Sequence, residues 1–129
     1  MTKKTTIAVL TFSLLTAISS FGETAVSEAQ AVRAMVGEAS NQGYTGLLAV
    51  GNVIRHRGSI KGLCGAKAAH CDREPAWVWI LARKAWAESA TNDVTMNSTH
   101  FENVSKFGRP VWARSMTKTV KIKDHQFYK

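Results

Sequence analysis

Glu38 is the residue of this sequence whose type and position best suit acid chemistry. It follows an apolar stripe at helical spacing, Val32, Met35 and Val36, and precedes a polar turn marked by glycines. A carboxylate in the last turn of a helix faces the negative end of the helix dipole, which disfavours its charge. Partial burial acts in the same direction, so the pattern predicts a raised pKa, as a general acid near neutral pH requires. The alternative is an ordinary solvated acid on a helix surface.

Two helices are predicted around this residue. Ser27-Glu28-Ala29-Gln30 fits a capping box, so the first helix should begin there and run to about Ala39. The second helix should end near Arg57, with Gly58 as its C-terminal cap. Its apolar pattern consists of Leu47, Leu48, Val50, Val53 and Ile54.

The second half of the chain changes from helical to strand patterns. Pro75 suits the first position of a third helix, which should continue to Ala90 and place its tryptophans, Trp77, Trp79 and Trp86, in the core. After it, residues 118–123 alternate as a strand does, and residues 99–104 do so more weakly. The sequence therefore predicts an α+β fold, a compact single domain with helices first and short antiparallel strands last.

The N-terminal segment has the form of a secretory signal peptide. Lys3 and Lys4 precede an apolar run, residues 7–18, which is short for a bilayer span, and Gly22 suits a cleavage site. We therefore divide the chain into a signal peptide, 1–22, and a mature domain, 23–129, that is exported to the periplasm, cell wall or extracellular space. The alternative is a retained membrane anchor.

The charge of the chain indicates the class of its binding partners, and its cysteines and histidines bear on a disulfide or a metal site. The chain has 17 basic and 9 acidic residues, so it is drawn to polyanions, yet no basic run interleaved with aromatics predicts a nucleic-acid surface. In an oxidising compartment, Cys64 and Cys71 are predicted to form a local disulfide. His56 and His70 lie nearby, but the spacing matches no common zinc motif, so neither a metal nor a cofactor is predicted.

Several motifs together resemble the SleB-like cell-wall hydrolases, a spore cortex-lytic family that also occurs in phages and in bacteria that form no spores. The resemblance covers about residues 29–128. Its first block is Gly37-Glu38-Ala39 with Tyr44, Gly46, Ala49-Val50, Val53 and Arg57. Its second block is Asp93-Val-Thr95, Thr99-His100-Phe101-Glu-Asn103, Phe107-Gly-x-Pro110-x-Trp112 and His125-Gln-Phe127-Tyr128.

The resemblance implies a fold related to lysozymes and lytic transglycosylases, and peptidoglycan as substrate, cut between N-acetylmuramic acid and N-acetylglucosamine. It places Glu38 at the catalytic position. We expect a monomer without stable membrane insertion. The candidate substrate-binding residues are Tyr44, Thr95, His100, Phe101 and Asn103, whereas His125 is expected to be structural.

The sequence also departs from the family pattern, and these departures leave alternatives open. Gln42 stands where many members have a second acid, which favours a transglycosylase with a single glutamate over a hydrolytic muramidase with two carboxylates. The nearest other acids are Asp93, expected to fix its loop with Thr95, and Glu102. A peptidoglycan-binding module without catalysis is a further alternative, whereas an amidase or peptidase lacks the expected zinc or Cys-His pattern.

Overall fold

The computed structural model describes residues 25–129, and the predicted signal peptide, residues 1–22, lies outside that range. The predicted α+β fold is confirmed, with helices followed by a small antiparallel sheet. None of the helices among the described residues is long and apolar enough to cross a membrane. The helices are α1 (Glu28–Ala39), α2 (Gly43–Arg57), α3 (Ala76–Glu88) and α4 (Val104–Phe107); the strands are β1 (His100–Glu102), β2 (Lys118–Ile122) and β3 (His125–Tyr128).

The ends of α1 and α2 follow from local signals in the sequence. The capping box at the start of α1 is confirmed: the Gln30 backbone N–H donates to Ser27 Oγ at 3.2 Å, and the Ser27 backbone N–H donates to Gln30 Oε1 at 3.1 Å. Gly58 ends α2 in a left-handed conformation (φ 64°), also as predicted. However, α2 begins at Gly43 (φ 69°), before the apolar pattern starts, so a short corner joins it to α1.

The helical core lies where α1, α2 and α3 meet. Its larger side chains, Met35, Leu47 and Ile54, come from α1 and α2, whereas α3 contributes Val78, Ala82 and Ala85. These α3 positions are four and three residues apart, so only one face of α3 is buried.

The expectation that all three tryptophans of α3 belong to the core is therefore wrong for Trp77. Trp77 precedes the buried Val78 and points away from the core, with 60% of its surface exposed. Trp79 and Trp86 are half-buried and pack against the helical core as expected.

The sheet has the order β1-β3-β2, with both neighbouring pairs antiparallel. β3 comes from the last residues of the chain, which the sequence pattern did not predict to be a strand. On one face Phe101 pairs with Phe127, and both pack against the α2 residues Ala49 and Val53. On the other face the Tyr128 ring lies 5.4 Å from the Trp112 ring, centre to centre. The sheet is thereby attached to α2 by its apolar face.

The predicted disulfide is wrong. Cys64 and Cys71 are both free thiols in two consecutive 3₁₀ turns, Cys64–Lys67 and Ala69–Arg73. The Cys71 thiol is buried, 3.7 Å from the carbonyl oxygens of Arg33 and Gly65, whereas Cys64 is exposed. The segment that carries them, residues 64–73, is called the cysteine loop. Arg33 attaches it to α1 instead of a disulfide: Arg33 donates from Nε to the Ala66 carbonyl at 3.2 Å and pairs with Asp72 at 2.9 Å. Sequence proximity did not bring the two sulfurs together because the loop turns one inward and one outward.

This arrangement predicts unequal reactivity of the two thiols. Burial raises the pKa of Cys71, which lowers its thiolate fraction as well as its access to reagents. Under native conditions a thiol reagent should label Cys64 quickly and Cys71 only on unfolding. Mass spectrometry of the labelled protein should show one adduct in buffer and two in denaturant. Rapid double labelling of the folded protein would contradict the burial of Cys71.

Candidate active site

Glu38 lies at the end of α1, where the helix meets the first 3₁₀ turn of the cysteine loop. Its carboxylate is half-buried, and the Gly65 backbone N–H donates to its Oε1 at 2.8 Å. The two backbones approach so closely that a Cβ on Gly37 would lie 1.9 Å from the Gly65 carbonyl oxygen. A Cβ on Gly65 would lie 2.6 Å from Glu38 Cγ. Glycine on both sides therefore brings a backbone donor onto the carboxylate.

The pKa of Glu38 is raised above that of an ordinary glutamate, as the sequence predicted. Burial is the largest cause, and the Gly65 N–H opposes it because it favours the charged form. The Glu102 carboxylate raises the pKa further, whereas His70 lowers it. Glu38 thus combines a tendency to hold its proton with a donor that stabilises its charged form.

Glu38 opens into a cleft of about 890 Å³. The first wall is the end of α1 with the corner that follows it, and the second is the cysteine loop, including Cys64 and His70. A third wall comes from β1 and α4. Its lining residues include Phe101, Glu102, Asn103 and Phe107. A cleft of this volume is in the size range of small-molecule and oligosaccharide sites, and an acid with a raised pKa lies in it.

Of the predicted substrate-binding residues, Phe101 and Asn103 line this cleft. Asn103 also caps α4, because its Oδ1 accepts from the Lys106 backbone N–H at 3.1 Å. Cys64, predicted for a disulfide, lines the cleft as well.

Tyr44, Thr95 and His100 do not line it. Tyr44 packs against the helical core, and its hydroxyl faces Glu88 of α3, which raises the pKa of the phenol. Thr95 is fully buried. His100 packs against Trp112 with ring centres 5.0 Å apart and the rings tilted by 44°. It lies on the face of β1 opposite to Phe101, because successive strand residues point to opposite faces.

Asp93 organises the loop between α3 and β1, as the sequence favoured. Its Oδ1 accepts from the backbone N–H and the hydroxyl of Thr95 at 2.8 and 2.7 Å, and its Oδ2 accepts from the Asn97 N–H at 2.8 Å. His56 Nε2 lies 3.0 Å from the same Oδ2. Burial raises the pKa of Asp93, but these donors outweigh it, so the pKa lies below the usual range. Asn97 has positive φ (65°), so the carboxylate stabilises a loop conformation that is costly by itself.

Replacing Asp93 by Asn should therefore reduce stability more than catalysis. An amide keeps one accepting oxygen but turns its NH₂ towards a donor, so we expect a loss of about 1 to 3 kcal/mol in the free energy of unfolding. Because the pKa of Asp93 is lower in the folded than in the unfolded protein, its carboxylate stabilises the fold at any pH above the unfolded-state pKa of about 4. This stabilisation is lost as the pH falls through the folded-state pKa of Asp93. Urea unfolding at pH 7 and at acid pH should show the difference shrinking in acid. Asp72→Asn, at an exposed ion pair, is the control and should cost clearly less stability than Asp93→Asn.

Three features of the site were missed by sequence reasoning. The Gly65 donor lies in a loop without periodicity, and Glu102 was noted only as a nearby acid. Gln42, which stands where many family members have a second acid, is buried and joins the corner after α1 to the turn before β3. Its Nε2 donates to Asp124 Oδ2 at 3.0 Å, and its Oε1 accepts from the Asp124 backbone N–H at 3.0 Å. A carboxylate at this position could still accept from the Asp124 N–H, but it would repel the Asp124 carboxylate instead of donating to it. Across residues 25–129 no cluster of three or more His, Cys, Asp or Glu side chains is arranged to bind a metal.

Three packed helices and a small antiparallel sheet, with the half-buried Glu38 in a cleft, agree with the α+β fold that the sequence predicted. Neither protein-family models nor curated protein sequences give a match. Two solved structures share the fold. The crystal structure of the catalytic domain of the Bacillus cereus SleB protein is 21% identical, with a TM-score of 0.65 over 84% of this chain and 99% of that one. The catalytic domain of the germination-specific lytic transglycosylase SleB from Bacillus anthracis is also 21% identical, with a TM-score of 0.59 over 86% and 98%. The chain thus has the fold of a SleB catalytic domain.

Proposed function

We propose that this protein is a peptidoglycan-degrading enzyme that cuts the glycan strand between N-acetylmuramic acid and N-acetylglucosamine, with Glu38 as its catalytic acid. The observation that supports this most is the half-buried Glu38 with a raised pKa in a cleft of about 890 Å³. The fold of the SleB catalytic domains, one of them described as a lytic transglycosylase, supports the choice of substrate.

The reaction requires a proton on the leaving oxygen and stabilisation of an oxocarbenium-like transition state. Glu38 donates that proton as the bond between the muramic C1 and the glycosidic oxygen breaks. The Gly65 N–H then stabilises the carboxylate that forms, because a donor favours the charged state. The same carboxylate next accepts the proton of the muramic 6-hydroxyl as that oxygen bonds to C1, which restores the acid and leaves a 1,6-anhydromuramic end.

Hydrolysis is the second candidate, and Glu102 is the observation that favours it. Glu102 lines the same cleft and raises the pKa of Glu38, so a second carboxylate is present although Gln42 is neutral. With water in place of the 6-hydroxyl, the product would carry a reducing muramic end.

Mass spectrometry of the fragments released from purified peptidoglycan tests both candidates. A transglycosylase gives muramic ends that lack one water relative to the reducing ends of a hydrolase. We expect the anhydro form. Reducing ends throughout would favour hydrolysis, peptide fragments would contradict glycan cutting, and the absence of release would favour a binding module.

Export and wall binding form part of the same proposal. We propose that residues 1–22 are removed during export and that the basic catalytic domain then binds the anionic wall as a monomer. The intact mass of the exported protein gives the cleavage site directly. A mature chain that still begins at Met1 would contradict the signal peptide.

A further inference from the structure

His125 occupies a fixed position beside the cleft. It is the first residue of β3, lines the cleft, is only 6% exposed, and has its ring centre 4.9 Å from that of Phe101. The preceding residue, Asp124, is held by both polar ends of the Gln42 side chain. Because Gln42 lies in the corner directly after α1, this connection fixes His125 relative to Glu38.

The protonation of His125 follows from its surroundings. Burial lowers the pKa of His125 although Asp124 raises it, so the ring is neutral near pH 7. Its Nδ1 is buried and has no hydrogen-bond partner among residues 25–129. A neutral imidazole carries one N–H, on either Nδ1 or Nε2. Buried N–H groups without an acceptor are rarer in proteins than buried acceptors without a donor, so Nδ1 is the unprotonated nitrogen and the N–H lies on Nε2. His125 therefore offers one neutral N–H donor beside the apolar ring of Phe101.

We propose that His125 recognises an N-acetyl group of the glycan: its Nε2–H donates to the acetyl carbonyl oxygen, and the acetyl methyl contacts the Phe101 ring. This rests on the proposed function and adds a residue that sets substrate specificity. A neutral donor next to an apolar surface matches a group that has both a carbonyl and a methyl. A deacetylated sugar presents an ammonium group instead, which has no acceptor for the N–H and loses hydration at an apolar wall.

Binding measured by calorimetry tests this without relying on turnover. The proteins are Glu38→Gln, Glu38→Gln with His125→Phe, and Glu38→Gln with His125→Gln. The ligands are soluble glycan strands with N-acetyl groups and the same strands after deacetylation. We expect the Glu38→Gln protein to prefer the acetylated strands about 10-fold, the scale of one buried hydrogen bond. His125→Phe should abolish most of that preference, and His125→Gln, which keeps an N–H donor, should retain part of it.

A preference unchanged by His125→Phe would overturn the inference, and so would the absence of any preference in the Glu38→Gln protein. Nitrogen NMR of histidine-labelled Glu38→Gln protein gives a second test that needs no change at position 125. The His125 signals should show a neutral ring protonated on Nε2, and the Nε2 signal should shift only with acetylated strands. Failure of the unmodified protein to cut peptidoglycan would count against the proposed function alone, because the binding preference does not depend on cutting.

Discussion

Replacing Glu38 by Gln is expected to lower the release of glycan fragments about 100-fold or more, the usual scale for losing a general acid. The substitution keeps the size of the side chain, and the amide oxygen can still accept from the Gly65 N–H. Only the proton that must reach the leaving oxygen is lost. Fragment release from purified peptidoglycan, quantified by mass spectrometry, measures the effect.

The stability of Glu38→Gln shows whether the fold survives. The folded-state pKa of Glu38 lies above its unfolded-state value, mainly because of burial. The folded state therefore binds this proton more tightly, and the stability so gained is present below the unfolded-state pKa and lost as the pH rises through the folded-state pKa. Gln does not titrate, so urea unfolding should show the variant gaining stability relative to the unmodified protein as the pH rises from about 4 through the folded-state pKa of Glu38.

Glu28→Gln is the matched control, because it makes the same chemical change at the opposite, exposed end of α1. It should leave fragment release unchanged. Near-normal turnover by a folded Glu38→Gln protein would show that Glu38 is not the catalytic acid.

Replacing Gly37 by Ala is expected to damage both the fold and the site. The new Cβ would lie 1.9 Å from the Gly65 carbonyl oxygen, so the 3₁₀ turn Cys64–Lys67 must move away from α1. Overpacking of this kind costs about 1 to 3 kcal/mol. Ala is the better helix former by about 1 kcal/mol, which offsets part of that loss.

The same displacement should be visible in the pH profile of activity. Moving Gly65 removes the N–H that holds the pKa of Glu38 down, so that pKa should rise further. The alkaline limb of the profile, where the acid loses its proton, should shift to higher pH, while turnover falls because the carboxylate product loses its donor.

Gly58→Ala is the control for general destabilisation. A Cβ at Gly58 meets no atom within 4 Å, but the left-handed backbone there costs a non-glycine residue about 1 to 2 kcal/mol. It should lower stability and leave the pH profile unchanged. A Gly37→Ala protein with unaltered stability and pH profile would contradict the contact between α1 and the cysteine loop.

The disulfide and the core position of Trp77 show where sequence reasoning failed. Two cysteines close in sequence in a predicted secreted protein suggested a bond, but the loop places one thiol in the cleft and buries the other. The apolar residues around α3 suggested burial on several sides, whereas the neighbouring helices cover only one. Neither the positions of the two thiols nor the exposure of Trp77 depends on residues near in sequence. Both depend on which parts of the protein pack against the cysteine loop and against α3.

The sequence alone determined the features that arise within a few residues. The capping box at Ser27, the left-handed cap at Gly58 and the placement of Glu38 at a helix end all follow from such local interactions. The cleft depends on contacts between distant residues: the Gly65 donor is 27 residues from Glu38, and Gln42 binds Asp124 across 82 residues. Tertiary structure alone decided how far Glu38 is buried, and therefore how its pKa is raised, and it also decided the surroundings of His125. It placed three predicted substrate-binding residues outside the cleft, namely Tyr44, Thr95 and His100. The physical reason is that desolvation, and the side of the sheet that a residue occupies, depend on which segments pack together.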